Sequence, residues 1–272
     1  MNWTALADGL VDRYERKARI FPGLLVVLPL LVPLICVFGA KNPTLTAVVG
    51  LLGGCGAIYG IASIARGRGK AVEERLVAEW GGMPTTLMLR HRDTHLEASS
   101  RALYHTLFQS KLKMALPTAA EEQADPAVAD DKYKGAVRQL REATRGKGYS
   151  LLLKENIAYG FHRNMRGVRP LGWIASTLGI VIGLLMSGAV ALEPAGFRPM
   201  AFAQPSLGAG LTLGVAIPLW FAWFHFNDEA VKRIAYAYAE SLFECLRSLP
   251  KQAQPRAKAA GNAGDNPATV GS

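Results

Sequence analysis

Residues 80–95 read WGGMPTTLMLRHRDTH and gather more reactive side chains than any other stretch of the chain. Trp80, Gly81 and Gly82 come first, and Arg90, Arg92 and Asp93 follow. Two arginines near a glycine turn suit an anion. A guanidinium fork meets a phosphate or carboxylate with two parallel hydrogen bonds, and glycine lets the backbone approach closely. The predicted ligand is an anionic group such as a nucleotide phosphate, or a protein partner. The competing reading is a helix–loop–helix corner with ordinary surface arginines, in which Gly81 and Gly82 redirect the chain after Trp80 through positive φ.

His91 and His95 are four residues apart, which on one helix would bring both imidazoles to a shared metal. Thr94 and Glu97 have capping-box spacing, however, and a helix beginning there separates the two rings. No third His, Cys or carboxylate stands at an established ligand spacing, so no metal is assigned. Gly67-Arg68-Gly69-Lys70 lacks the glycine spacing and the Ser or Thr of a phosphate loop. Nucleophile-elbow, kinase and metalloprotease patterns are also missing, so no catalytic residue and no cofactor are assigned. Cys36, Cys55 and Cys245 suit neither a disulfide framework nor a structural zinc.

The elements that must position these side chains are set by four apolar blocks, 20–40, 44–65, 170–192 and 207–226, none of which contains Asp, Glu, Lys or Arg. Each is about 20 residues long, enough to cross a hydrocarbon layer of about 30 Å. Of the 31 Lys and Arg, four precede the first block, 19 lie between the second and third, and six follow the fourth; Lys41 and Arg198 alone occupy the other loops. This positive-inside pattern predicts both termini and the central stretch on the cytoplasmic side of a bacterial inner membrane. The formal charge of +10 is then explained by contact with the bilayer and its anionic headgroups, without nucleic acid. Arg163, Arg166 and Arg169 read as topology determinants with headgroup contact. The absence of ionisable groups within the blocks argues against an ion-coupled carrier.

The expected fold is an all-α integral membrane protein, with two transmembrane helical hairpins flanking a helical cytoplasmic domain. Its parts are an amphipathic N-terminal helix (1–19), hairpin one (20–65), the cytoplasmic domain (66–169), hairpin two (170–226), a cytoplasmic amphipathic helix (227–250) and a disordered tail (251–272). Within the hairpins, small residues one turn apart permit close helix contact: Gly50 with Gly54, Gly56 with Gly60, Gly179 with Gly183 and Ser187, and Gly210 with Gly214. These faces either pack within one copy or join a homo-oligomer. Trp173, Trp220, Trp223, His225 and Phe226 read as an interfacial aromatic belt.

The central domain parses into helices at 71–80, about 95–114, a short turn after Thr118, one from Pro126 behind an Asp125 cap, and 150–166. Tyr133, Val137, Leu140 and Thr144 should face inward. So should Leu96, Leu103 and Leu107 on the second helix, and Leu153, Ile157, Phe161 and Met165 on the last. Gly167 and Pro170 should break that last helix before the third span.

Three functions from different classes fit this layout. The first is a non-enzymatic scaffold or regulator that binds a protein partner through the cytoplasmic domain. The second is a membrane effector or pore component of a bacterial defence or signalling system. The layout is similar to that of small bacterial four-span effectors in anti-phage systems, although no motif is shared with them. A membrane-bound enzyme ranks below both.

Overall fold

The computed structural model describes residues 16–39, 57–145, 148–192, 195–203 and 206–250, together with Thr44. Most of residues 1–19, Gly50, Gly54 and Gly56 on the second apolar block, and the tail from 251 lie outside the described residues.

The chain is mostly helical, and three of its described helices are long and apolar enough to cross a membrane: Arg16–Gly39, Ser150–Met186 and Leu207–His225. The first is built on α1 (Phe21–Leu34), extended by π-helical turns at Arg16–Ile20 and Ile35–Gly39. Pro29 and Pro33 sit buried inside α1, each removing one backbone donor from the helix. Helix α2 (Ala57–Trp80) runs from the apolar bundle straight into a polar-surfaced domain. It ends at the glycine pair. Gly82 N–H reaches Val77 O at 2.9 Å and Gly81 N–H reaches Ala78 O at 3.2 Å, a Schellman closure that consumes the last carbonyls. Gly81 (φ +76°) and Gly82 (φ +149°) hold backbone conformations that a side chain would strain, as the turn reading expects.

The domain continues through α3 (Pro84–Leu87), α4 (Ala98–Leu112), α5 (Ala119–Ala124) and α6 (Pro126–Ala143). Helix α5 carries the expected Thr118–Glu121 capping box, and Asp125 caps α6 ahead of Pro126 by accepting from Ala127 N and Val128 N. Tyr133, Val137, Leu140 and Thr144 are all buried. The second helix differs from expectation. It starts at Ala98, because Asp93 accepts the His95 N–H at 2.9 Å and holds 93–97 as a turn, leaving Thr94 without a capping role. Leu96 and Leu107 pack against the core as expected, but its most buried residues are Tyr104, Phe108 and Leu112, and Leu103 is 42% exposed. The aromatic pair at i, i+4 offers more area to the core than the leucine stripe beside it.

Helix α7 (Ser150–Met186) is 37 residues long, about 55 Å, and does not break at Gly167 or Pro170. Gly167 serves close approach to α2, and packing on both sides holds the turn that lacks the proline donor. Met165 is buried as expected and Phe161 packs beside it, but Leu153 is exposed, and the other buried positions are Leu152, Tyr159, Asn164 and Val168. A short antiparallel hairpin, β1 (Val190–Leu192) and β2 (Ala195–Phe197), joins α7 to α8 (Leu207–Ala222). The sequence reading contains no signal for these strands.

Helix α9 (Asp228–Ser248) completes the domain. Its Ala239, Leu242, Phe243 and Leu246 share one core with Met88, Leu89, Phe108, Tyr133 and Leu140. Residues 227–250 are therefore one wall of the polar-surfaced domain and share its core. Likewise, the expected domain limits at 65/66 and 169/170 fall inside unbroken helices.

Candidate functional site: the 80–95 corner and the helix crossing

Loop 88–97 is held by a partly buried set of ion pairs. Arg90 makes a two-pronged bond to Asp130, Nε to Oδ1 at 2.7 Å and Nη2 to Oδ2 at 2.6 Å, and Nη2 also donates to the Gly81 carbonyl at 2.9 Å. Arg92 donates to Glu122 at 2.8 Å and to Asp130 at 3.2 Å. Glu122 is buried on the short helix α5 and also accepts from His91 N–H at 2.7 Å and the Tyr133 hydroxyl at 2.7 Å. Burial pushes the Glu122 carboxyl up, but the His91 N–H, Tyr133 and Arg92 donors outweigh it and hold the group below its ordinary value. Burial, together with the Glu122 carboxylate, drives the Tyr133 hydroxyl in the opposite direction, well above the ordinary phenol value.

The predicted residues thus divide. Gly81, Gly82, Arg90 and Arg92 come together around Asp130 and Glu122. Asp93 stands at the edge, where its carbonyl takes Arg101 Nη1 at 2.6 Å. Trp80 turns away and packs, half-buried, on Leu76, Tyr159 and Val231. The anions that Arg90 and Arg92 were expected to recruit are carboxylates of the chain itself. Asp130 and Glu122 escaped sequence reasoning because Asp130 heads an exposed-looking acidic pair and Glu122 adjoins the capping Glu121.

The histidines scatter. His91 Nε2 donates to Pro117 O at 3.0 Å, His105 Nε2 to Leu89 O at 2.9 Å, and His95 meets Glu240 at 3.1 Å. Burial lowers the His105 imidazole value despite its carbonyl partner. Among the described residues no three His, Cys, Asp or Glu could share a metal ion. Arg90, Arg92, Asp130 and Glu122 are engaged with one another and fix the loop, while the exposed His95–Glu240 pair lines an open cavity at its edge.

A second polar set lies where α2, α7 and α9 cross. Arg166 grips Asp228 at 2.9 and 3.0 Å, and Asp228 also takes Arg75 at 2.9 Å. Burial raises the Asp228 carboxyl, and the two arginines more than reverse this, leaving it below its ordinary value. Glu73 accepts Arg163 and the Tyr159 hydroxyl, each at 2.7 Å. Asn164 donates to Ala18 O at 2.6 Å, tying α7 to the foot of the first apolar helix. Arg169 lies 4.2 Å over the Trp173 ring and donates to Phe226 O at 3.3 Å.

Below this crossing the aromatic expectation needs correcting at one residue. Trp223 is fully buried, its indole N–H donating to Ser176 Oγ at 3.1 Å, with Gly172 providing the space against its ring. It is a core residue and contributes nothing to an interfacial belt.

The small residues sort by surroundings. A β-carbon on Gly179 would lie 2.8 Å from Pro29 O, and one on Gly183 would lie 2.7 Å from the Leu213 side chain. Ser187 caps the α7 end through Leu184 O at 2.9 Å. Among the described residues nothing lies within 4 Å of a β-carbon placed on Gly60, Gly210 or Gly214. No protein-family model, curated protein or solved structure matches this chain.

Proposed function

We propose that the chain is a four-span inner-membrane scaffold or regulator, non-enzymatic, whose cytoplasmic helical domain binds a protein partner. The supporting observation is continuity: α2 and α7 pass from the apolar bundle into the domain without a break, and α9 closes the same core. A domain fused to its anchor by two helices and an ion-pair set suits fixed presentation of a surface.

Orientation is tested with single cysteines in a background lacking Cys36, Cys55 and Cys245. Asn42→Cys and Gln204→Cys are expected to react with an impermeant thiol reagent from outside. Ser110→Cys and Gly261→Cys should stay protected until the membrane is opened. The opposite pattern at either pair would overturn the topology.

The effector reading keeps one specific support. Gly210 and Gly214 form a small-residue face on α8 that points away from the bundle, whereas Gly179 and Gly183 are committed within one copy. Photocrosslinking in native membranes separates the readings. A crosslinker at exposed Leu103 is expected to give a discrete adduct with another protein. Adducts confined to the chain itself, lost in Gly214→Leu and kept in Gly60→Leu, would replace the scaffold by an assembling effector.

A further inference from the structure

Where the end of α6, the start of α7 and the middle of α9 meet, a cavity of about 430 Å³ opens between Arg138, Arg141, Arg145, Tyr149, Asn156 and Tyr238. We propose that this cavity is a binding site for a phosphate-bearing ligand of nucleotide size. The proposal does not depend on the partner-binding reading.

Charge is the first argument. Positions 138, 141 and 145 follow the i, i+3, i+7 spacing that brings side chains to one helix face. Glu142 is the one carboxylate lining the cavity, and it pairs with Arg145 at 3.2 Å. Three guanidiniums against one carboxylate leave a surplus of two positive charges. Among the described residues, Arg138 and Arg141 have no carboxylate within ion-pair distance. An arginine in the last turn of a helix ordinarily answers the negative helix end, which would explain Arg141 alone. Here the C-terminal end of α6 adjoins the N-terminal end of α7, so the two end charges oppose each other and the arginines set the local potential.

Shape and composition narrow the class. About 300 Å³ is the lower bound for small-molecule sites, and this cavity exceeds it. Guanidinium forks match phosphate oxygens, tyrosine rings offer a face to a planar base, and the Asn156 amide can both donate and accept at a base edge. Tyr149 and Tyr238 pack against the domain core and Tyr238 stacks on Tyr159 with centroids 6.3 Å apart, so a base would extend an existing ring stack, whereas an acidic peptide would use the charges alone. A lipid headgroup fits the position poorly. Ser150 begins α7 some 20 residues before Pro170, about 30 Å along the helix axis, while headgroups extend only about 7 Å beyond the hydrocarbon.

The test uses purified full-length protein titrated by calorimetry with adenosine and guanosine monophosphates and diphosphates, inorganic phosphate, and nanodiscs with and without phosphatidylglycerol. At least one nucleotide is expected to bind. Arg138→Gln and Arg141→Gln are each expected to weaken it roughly tenfold with unchanged melting temperature, since both side chains are exposed. Tyr238→Phe should retain binding, and Tyr238→Ala should lose most of it. Three outcomes would overturn the site: no nucleotide binding at millimolar concentration, inorganic phosphate binding as tightly as any nucleotide, or a signal that appears only with phosphatidylglycerol. Nucleotide binding indifferent to both arginine variants would also move it elsewhere on the chain.

Discussion

Gly167→Ala is expected to destabilise the protein by about 1–3 kcal/mol, the usual range for overpacking. The same exchange at Gly67 should stabilise it by up to about 1 kcal/mol, the helix-propensity gain. The opposite signs follow from what each β-carbon meets. At Gly67 there is open space, whereas at Gly167 the new carbon would sit 2.6 Å from the Arg68 carbonyl carbon and from the Gly69 nitrogen. Those are backbone atoms and cannot rotate aside, so α2 and α7 must separate. On the other side of the same crossing, Gly69 is pressed against Asn164. Separation would stretch the Arg163–Glu73 and Tyr159–Glu73 bonds, which join α7 to α2. Thermal unfolding of both variants in detergent is the measurement, and a Gly167→Ala protein as stable as Gly67→Ala would refute the close crossing.

Glu122→Ala should cost about 3–5 kcal/mol, because it leaves a buried phenol, two backbone donors and an arginine prong without their acceptor. Arg92 is itself 43% exposed and can partly rehydrate, which places the expected loss at the lower end. The same group gives the domain an acid-sensitive step. Its folded-state value lies below the ordinary 4.5, so its contribution is complete above pH 4.5 and disappears as pH falls through the lowered value. Denaturant midpoints measured from pH 7 downward should show this loss in the natural chain, and Glu122→Gln should flatten it. An unchanged acid limb in Glu122→Gln would assign the effect to other carboxylates, with Asp228 the next to test.

Much of the architecture was legible because local signals carry their own geometry. The Thr118–Glu121 box, the Asp125–Pro126 start and the Gly81-Gly82 stop each specify backbone hydrogen bonds within a few residues, and each appears as read. What failed needed knowledge of distant partners. Gly167 and Pro170 look like a stop until α2 is seen resting on the glycine. The inward side of α4 was decided by Phe243, which lies 135 residues after Phe108. Trp223 resembles an interfacial ring unless Gly172 and Ser176 are known to make room for it. The candidate corner is visible in the density of its polar side chains, but the carboxylates that pair with its arginines are not. Its counter-ions lie 30 to 40 residues away, on helices whose sequence marks them as ordinary surface.

An unbroken helix also transmits angle. The contact of Gly167 with Arg68 and Gly69 works as a fulcrum, with Ser150 about 25 Å to one side and Met186 nearly 30 Å to the other. A tilt of about 5° around it would carry each end sideways by about 2 Å, half the separation of packed side-chain atoms. The tyrosine–arginine cavity rides on one arm, and the spans facing Pro29 and Leu213 rest against the other. A load on the outer arm would reach the apolar helices as a change of lever position only as far as the turn at Pro170, which lacks its backbone donor, stays straight.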